Sequence, residues 1–526
     1  MEGVIANVQQ DITGPIMREN KREYTAIETV FAWLSIVFGY FFCKVFPAWI
    51  NPLSGMLFII FLYVGTTVML KINKTKLEAK AVVTALSGVV VGVSLVFTSN
   101  QFIELLAYTY SLMAYCYYVF VALGNTTKKG YNDFIVIDYI KALLFAPFNS
   151  IGSVFKAIFS DKLKKSGNVI WKVVLGVTIA MIPTIIVTIL LSYDDGFNNI
   201  MGNLFDFDIG DIISEGMCIV FGILVGMYIF ELFISSVDKT SKGFSATECE
   251  VKIRKIQCIH VATAIAAVIP ILFLYVVFFI SQWKFYMYGF SGKLPEGFSY
   301  SSYAREGFFQ LCAVSVINLI IIVSVMMFMN QEKSWLKKVR ASIVVTYAVV
   351  TLILIATAIA KMIMYIDCYG LTPKRVYATW MMIVLVMIFF TIILKQFIAK
   401  LSAVSTSIWI IVVMFSMLAL SNVEGVIARY NISKFLDGTF NSIDVDAVAD
   451  MGDAAIPELV YLFEELKKMD KSDENTGVYT AYMETGFVLE DKALEYNNEA
   501  KDIMSYTIPY YKAINSLEDA GFMDFK

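Results

Sequence analysis

The chain has 526 residues, 58% of them hydrophobic and 17% charged, with a formal net charge of −3 and a mean hydropathy of +0.68. Repeated apolar runs of about 18 residues or more, separated by short charged loops, exclude a soluble globular protein and mark a polytopic helical membrane protein. The roughly ten-residue alternating segments of a transmembrane β-barrel are not found.

Before the first apolar run lie about 28 largely polar residues, too long a leader for a cleavable signal peptide. Residues 1–28 are therefore expected to be a cytoplasmic segment. Eleven spans follow, each long enough to cross about 30 Å of hydrocarbon. They fall near 29–48, 53–70, 81–98, 102–123, 169–191, 212–235, 257–280, 303–329, 341–364, 375–394 and 402–421. Alternate loops carry the basic residues, among them Lys71, Lys74, Lys128, Lys129, Lys252, Arg254, Lys337 and Lys338. The intervening loops are neutral or acidic, as at Asp194, Asp195, Asp206, Asp208 and Asp211. This asymmetry places the N-terminus in the cytoplasm and, with an odd count, the C-terminus outside a bacterial plasma membrane.

Within the bundle (29–421) two segments are neither spans nor plain loops. Residues 131–160 mix large apolar side chains with Asp138, Lys141 and Lys156 and break at Pro147. They read as one or two helices lying on the cytoplasmic face, apolar side in lipid, or as a connector packed under the bundle. Residues 281–302 are crowded with aromatics, which prefer the headgroup zone, and read as an outer interfacial loop. Residues 422–526 hold about twenty acidic side chains against nine basic ones and no run long enough to span. Helical periodicity in AAIPELVYLFEELKKM, with Pro457 near its start and lysines at its end, predicts a small acidic helical domain outside the membrane. Asp444, Asp446, Asp450 and Asp453 lie close together but fail the EF-hand pattern, so a solvated acidic turn is expected rather than a calcium loop.

An ionisable side chain inside a span costs about 2.5–3.5 kcal/mol, so each needs a partner, a water-filled cavity or a route to the surface. Such residues gather at the outer ends of the spans: Lys44, Glu104, Glu215, Arg305, Glu306, Lys361, Asp367, Arg375, Glu424 and Arg429. Arg305 and Arg375 fall at the N-termini of their helices, where a cation opposes the helix dipole. Thr372 and Pro373 suit the N-cap and first-turn positions ahead of Arg375. Carboxylates are expected to hold these arginines, with Glu104, Glu215, Asp367 and Glu424 as candidates. The cluster is either a structural ion-pair network or an outward-open pocket that binds a small anionic or zwitterionic ligand, or a lipid headgroup, through arginine forks.

Other features are weaker. The seven cysteines are scattered without a CxxC pair, and His260 is the only histidine, so neither a disulfide frame nor a histidine metal cage is expected. Trp380 and Tyr377 suit interface anchoring, and Gly88, Gly92, Gly176 and Gly222 suit close helix approach. No phosphate-binding loop, dinucleotide fingerprint, zinc-protease motif or nucleophile elbow is present, so no cofactor and no metal is expected. Nucleic acid is not expected among the partners, and the internal repeat of many carriers is not evident.

The segments SYAREGFFQLCAVSVINL, YGLTPKRVYATWMMIVL and NVEGVIARYNISKFLDG with DAVADMGDAAIPEL together resemble the bacterial integral-membrane family known as domain of unknown function 4173, related to 4153. The resemblance is best from about residue 300 to 465 and covers the preceding spans as well, where the family is recognisable only by hydropathy. It implies a multispan membrane protein and supplies no catalytic residues; its motif positions include Arg305, Glu306, Gly370, Arg375, Tyr377, Trp380, Arg429, Tyr430 and Asn431. The expectation is an all-α polytopic bundle, with a carrier or lipid-handling site centred on Arg305, Glu306 and Arg375. A sensory or regulatory subunit reading through its outer domain is an alternative. So is a transferase on a lipid-linked substrate with Glu306 as base.

Overall fold

The computed structural model describes residues 23–45, 51–149, 152–159, 209–239, 246–291, 308–330, 334–469, 476–498 and 503–523, with residues 187 and 191. Among these the secondary structure is helical, interrupted by turns and one isolated bridge between Ile259 and Met329. In chain order the α-helices are α1 (Ala26–Val45), α2 (Pro52–Ile72), α3 (Ala79–Val93), α4 (Gln101–Ala122), α5 (Ile135–Ile140), α6 (Ser153–Ile158), α7 (Ile209–Val237), α8 (Ala246–Ile256) and α9 (Val261–Ser291). They continue with α10 (Phe308–Phe328), α11 (Ser334–Tyr369), α12 (Pro373–Phe397), α13 (Ala403–Leu420), α14 (Val423–Leu436), α15 (Val445–Ala449), α16 (Ile456–Lys468), α17 (Thr476–Asn498) and α18 (Ile508–Asp519).

Ten of the described helices, α1–α4, α7 and α9–α13, are long and apolar enough to cross a membrane. The fold is an all-α polytopic bundle. The span expected at 169–191 lies outside the described residues, apart from residues 187 and 191. The aromatic stretch expected as a loop from 281 is instead helical as far as Ser291. The apolar span there ends at Ser281, so α9 projects beyond its spanning part as an aromatic, more polar extension. No proline interrupts it after Pro270, and that one is tolerated within the helix.

Local chemistry sets the helix ends. Prolines open α2, α12, α16 and α18 at positions where their missing N–H is not needed. Side-chain caps start others: Asn100 on α4, Ser402 on α13, Asp444 on α15 and Thr507 on α18.

The chain divides into two compact units, Met1–Lys44 with Ser150–Glu231, and Val45–Asn149 with Leu232–Lys526. In the first, Gly222 and Gly226 of α7 meet the backbone of α1 around Gly39, an approach that leaves no room for side chains. In the second, α2, α3 and α4 pack together and α13 lies against α3 and α4. A second core joins α9, α10, α11 and α12 around Phe308, Tyr347, Leu354 and Phe389. In its interior Asn318 takes a hydrogen bond from Tyr275 (2.6 Å) and gives one to Thr351 (2.9 Å), so a buried amide links three spans.

Between α4 and the next span the chain forms α5, one wide turn over Lys141–Phe145 and a tight turn over Ala146–Phe148 containing Pro147. Val136, Ile140, Leu144, Phe145 and Phe148 are exposed on one face of this stretch, while Ile135, Asp138, Ala142 and Ala146 are buried on the other. Helices α14 to α18 share their own apolar core, with Ile432, Val448, Leu459, Leu489 and Leu517 inside. None of them is apolar enough to span.

Candidate functional site

The polar groups of the second unit converge where α4 begins. Asn100 caps α4 with its Oδ1, which accepts hydrogen bonds from the backbone N–H groups of Phe102 (3.1 Å) and Ile103 (3.2 Å). That leaves its Nδ2 facing away from the helix, where it donates to Glu424 Oε1 (2.8 Å) and to the Tyr377 hydroxyl (3.2 Å). Tyr377, one turn into α12, donates its own proton to the same Glu424 Oε1 at 2.6 Å. One oxygen of Glu424 is thus doubly served, while the other, Oε2, is buried without a hydrogen bond.

Glu104 stands on the same helix one turn from Asn100. It is 2% exposed, and Glu424 is 3% exposed. The charged groups that act on Glu104 are Asp453 and Glu424, both acidic. Among the described residues no lysine or arginine forms an ion pair with Glu104 or Glu424. Asp453, at the turn before α16, accepts a hydrogen bond from Tyr496 of α17 (2.7 Å). Burial first, and then the Asp453 charge, push the Tyr496 phenol up, so it remains a donor. The C-terminal helices also touch the start of α2, where Ser505 donates to Asn51 Oδ1 at 3.1 Å.

Arg375 is held differently from the expectation. Its guanidinium donates to the backbone oxygens of Tyr369 (2.9 Å) and Gly370 and lies over the Tyr365 ring, 3.9 Å from its centroid. It sits at the start of α12 yet answers the negative end of α11, which terminates at Tyr369. The short loop between the two helices folds the cation of one onto the carbonyls of the other. Gly370 makes that possible with a left-handed φ of 74°. Asn431 of α14 then clamps the loop, accepting from Leu371 N at 2.8 Å and donating to Leu371 O at 2.9 Å. No carboxylate among the described residues pairs with Arg375, so the expected carboxylate company is replaced by main-chain oxygens and an aromatic face.

The other sequence candidates separate. Arg305 and Glu306 lie outside the described residues. Glu215 belongs to the first unit, where it pairs with Lys44 and accepts a hydrogen bond from Tyr40 (3.0 Å). Asp367 is exposed on the last turn of α11, and Arg429 is exposed on α14. The Arg429 charge acts on Glu458 of α16, whose carboxyl is pushed up by burial and drawn back by that arginine. Of the six candidates among the described residues, Glu104 and Glu424 lie close enough for the Glu424 charge to act on Glu104, and both flank Asn100. Sequence reasoning missed Asn100, Tyr377 as a donor, Asp453 and Tyr496. Only the first had a usable signal, as an amide just ahead of an apolar helical run.

No group of three or more His, Cys, Asp or Glu side chains among the described residues is arranged to hold a metal ion. The chemistry on offer is that of buried acids with donors fixed on one side: capture of a proton, an ammonium or another hydrogen-bond donor.

Comparison with known proteins gives one result. No curated protein and no solved structure matches the chain. Residues 85–462 match the family described as Domain of unknown function (DUF4153), the relative of the one its motifs resemble, and the match begins far ahead of residue 300, within α3. It covers more than half of the sequence and takes in Asn100, Glu104, Tyr377, Glu424 and Asp453, so the chain belongs to the DUF4153 family.

Proposed function

We propose that this protein is a carrier or lipid-handling protein of the bacterial plasma membrane, with its polar site where Glu104 and Glu424 meet. The observation that carries the reading is the pair of carboxylates, each at least 97% buried, with no cation among the described residues paired with them. A buried unpaired carboxylate is expensive, and a ligand with an ammonium group removes that expense. The ligand class supported is therefore the amine end of a zwitterionic small molecule or lipid headgroup, with Asn100 and Tyr377 fixing one oxygen of Glu424. The ligand anticipated for the arginines was anionic or zwitterionic; the carboxylates favour the zwitterion. The distribution of lysine and arginine along the loops supports a cytoplasmic N-terminus, which sets this site near the outer leaflet.

The test is retention of phosphatidylethanolamine by the full-length protein, read by native mass spectrometry after extraction from mixed bilayers. Wild type is expected to keep phosphatidylethanolamine in preference to phosphatidylglycerol, and Glu424→Gln is expected to lose that preference. Equal retention of both lipids by wild type, or unchanged preference in the variant, overturns the reading.

A further inference from the structure

The first unit holds a pairing that lies outside the carboxylate site. Gly39 of α1 meets Gly222 and Gly226 of α7 so closely that a Cβ on Gly39 would lie 1.9 Å from the Gly222 oxygen. The two backbones are therefore in contact, an approach that only small residues permit. The same contacts fix the register. Ile36 backbone lies against Gly226 and Tyr40 backbone against Gly222, so the two helices run antiparallel.

One turn on from Gly39 stands Cys43, and one turn back from Gly222 stands Cys218. Residues four apart share a helix face, so both cysteines lie on the faces that the glycines bring together. In an antiparallel pair the two steps also lead to the same level. The helices remain in side-chain contact at that level, where Lys44 pairs with Glu215 and Tyr40 donates to Glu215 at 3.0 Å. The Cys218 thiol is near enough to act electrostatically on Cys43, and on Tyr40 and Lys44 beside it. Both cysteines are free thiols here, and neither is fully buried.

Cysteine used as a small apolar residue accounts for either position alone. It does not account for two of them at one level of one backbone contact, close to where both helices meet water. We infer that Cys43 and Cys218 are joined in the cell by a disulfide that ties α1 to α7. The bond needs Cα atoms about 4.4–6.8 Å apart, the separation that facing residues take where helix backbones touch. A cytoplasmic N-terminus sets this end of α1 outside the plasma membrane, where thiols are oxidised.

The oxidant is the active disulfide of an extracytoplasmic thiol oxidase. One thiolate of the pair attacks that disulfide and forms a mixed disulfide. The second thiolate then attacks the sulfur of the first and releases the oxidase as a dithiol. Two S–H bonds of this chain break and one S–S bond forms, while two electrons and two protons pass to the oxidase. The cross-link secures an interface whose ion pair, with both partners exposed, contributes little by itself.

The experiment uses the full-length protein, made in a bacterium that carries such an oxidase. Cells are acid-quenched and their thiols alkylated under denaturing conditions before any purification. Wild type is expected to show five of its seven cysteines alkylated. A non-reduced digest is expected to hold a peptide pair linked through Cys43 and Cys218. The linked fraction is expected to fall about fivefold or more in cells lacking the oxidase. Cys43→Ser is expected to leave Cys218 fully alkylated, and Cys218→Ser to do the same for Cys43. Cys368→Ser, which removes an exposed thiol of α11, is the control and is expected to leave the link unchanged.

Seven alkylated cysteines in wild type, or a linked fraction indifferent to the oxidase, overturns the inference. The wild-type digest decides by itself if a serine variant fails to fold. An impermeant maleimide on intact cells reports the side of the membrane separately, at Cys368, which the loop charges place outside. A missing link with that label present overturns the inference alone; a missing link and a missing label overturn the orientation as well. Phosphatidylethanolamine retention is read at residues of the second unit and is independent of either cysteine.

Discussion

At the Gln101 end of α4 two buried carboxylates, Glu104 and Glu424, have no ion-pair cation among the described residues, and Asn100 and Tyr377 donate to one oxygen of Glu424 alone. Beyond the Ala122 end one buried carboxylate, Asp138, is set among Lys80, Lys141 and Thr127. Both regions place acids out of water, but among the described residues only the second has lysines acting on its acid. An acid balanced by neighbouring lysines contributes to holding the fold together. An acid left unbalanced is held at the expense of the fold, which is the signature of a group kept for a ligand. The contrast makes the two ends respond with opposite sign to loss of charge.

The largest effect is expected at the balanced end. Asp138→Ala leaves the Thr127 N–H and hydroxyl without their buried acceptor and removes the charge that acts on Lys80 and Lys141, and is expected to destabilise the protein by about 3 kcal/mol, seen as a large fall in melting temperature or loss of folded protein on extraction. A variant that melts like wild type would show that the lysines are solvated and the comparison false.

Arg375→Ala comes next. It removes charge-assisted hydrogen bonds to the end of α11, with an expected loss of about 2 kcal/mol. Lysine at the same position is expected to recover only part of it, because a point charge reaches one carbonyl less specifically than a planar fork. Full recovery by Arg375→Lys, measured by thermal melting, would reassign the residue to simple charge balance.

A smaller effect concerns pH. Glu458, in the C-terminal helices, has its carboxyl pushed up by burial, with Arg429 opposing. A carboxyl raised in the folded state binds more protons there than when unfolded. Stability from this group is therefore full below the ordinary carboxylate range and falls as pH rises through the raised value. Melting temperature is expected to decline modestly from mildly acidic to neutral pH, and Glu458→Gln is expected to flatten the decline. An unchanged slope in the variant would assign it to other groups.

Much of this architecture was legible before folding. Length and apolarity located the ten described spans, and Pro373 and Pro457 marked where two helices begin. The extension of α9 to Ser291 was not legible, because a drop in hydropathy marks where an apolar span stops and not where its helix does. Glu104 and Glu424 stood out because a carboxylate beside an apolar run is conspicuous. Their partners did not, since an amide or phenol in such a chain is ordinary until folding brings it within 3 Å of an acid. Arg375 misled for a related reason. Its place on its own helix was unfavourable in isolation, and only the fold shows that the loop at Gly370 lays it on the carbonyls of the preceding one.

The account stands on Glu104 being a buried acid that no cation among the described residues pairs with. The most direct measurement is the melting temperature of the full-length Glu104→Gln variant in lipid nanodiscs without added ligand. Replacing an unpaired buried carboxylate with a neutral amide is expected to stabilise the protein by about 1 kcal/mol, raising the transition. A fall in melting temperature would mean that the protein supplies Glu104 with a partner of its own, and would contradict the account.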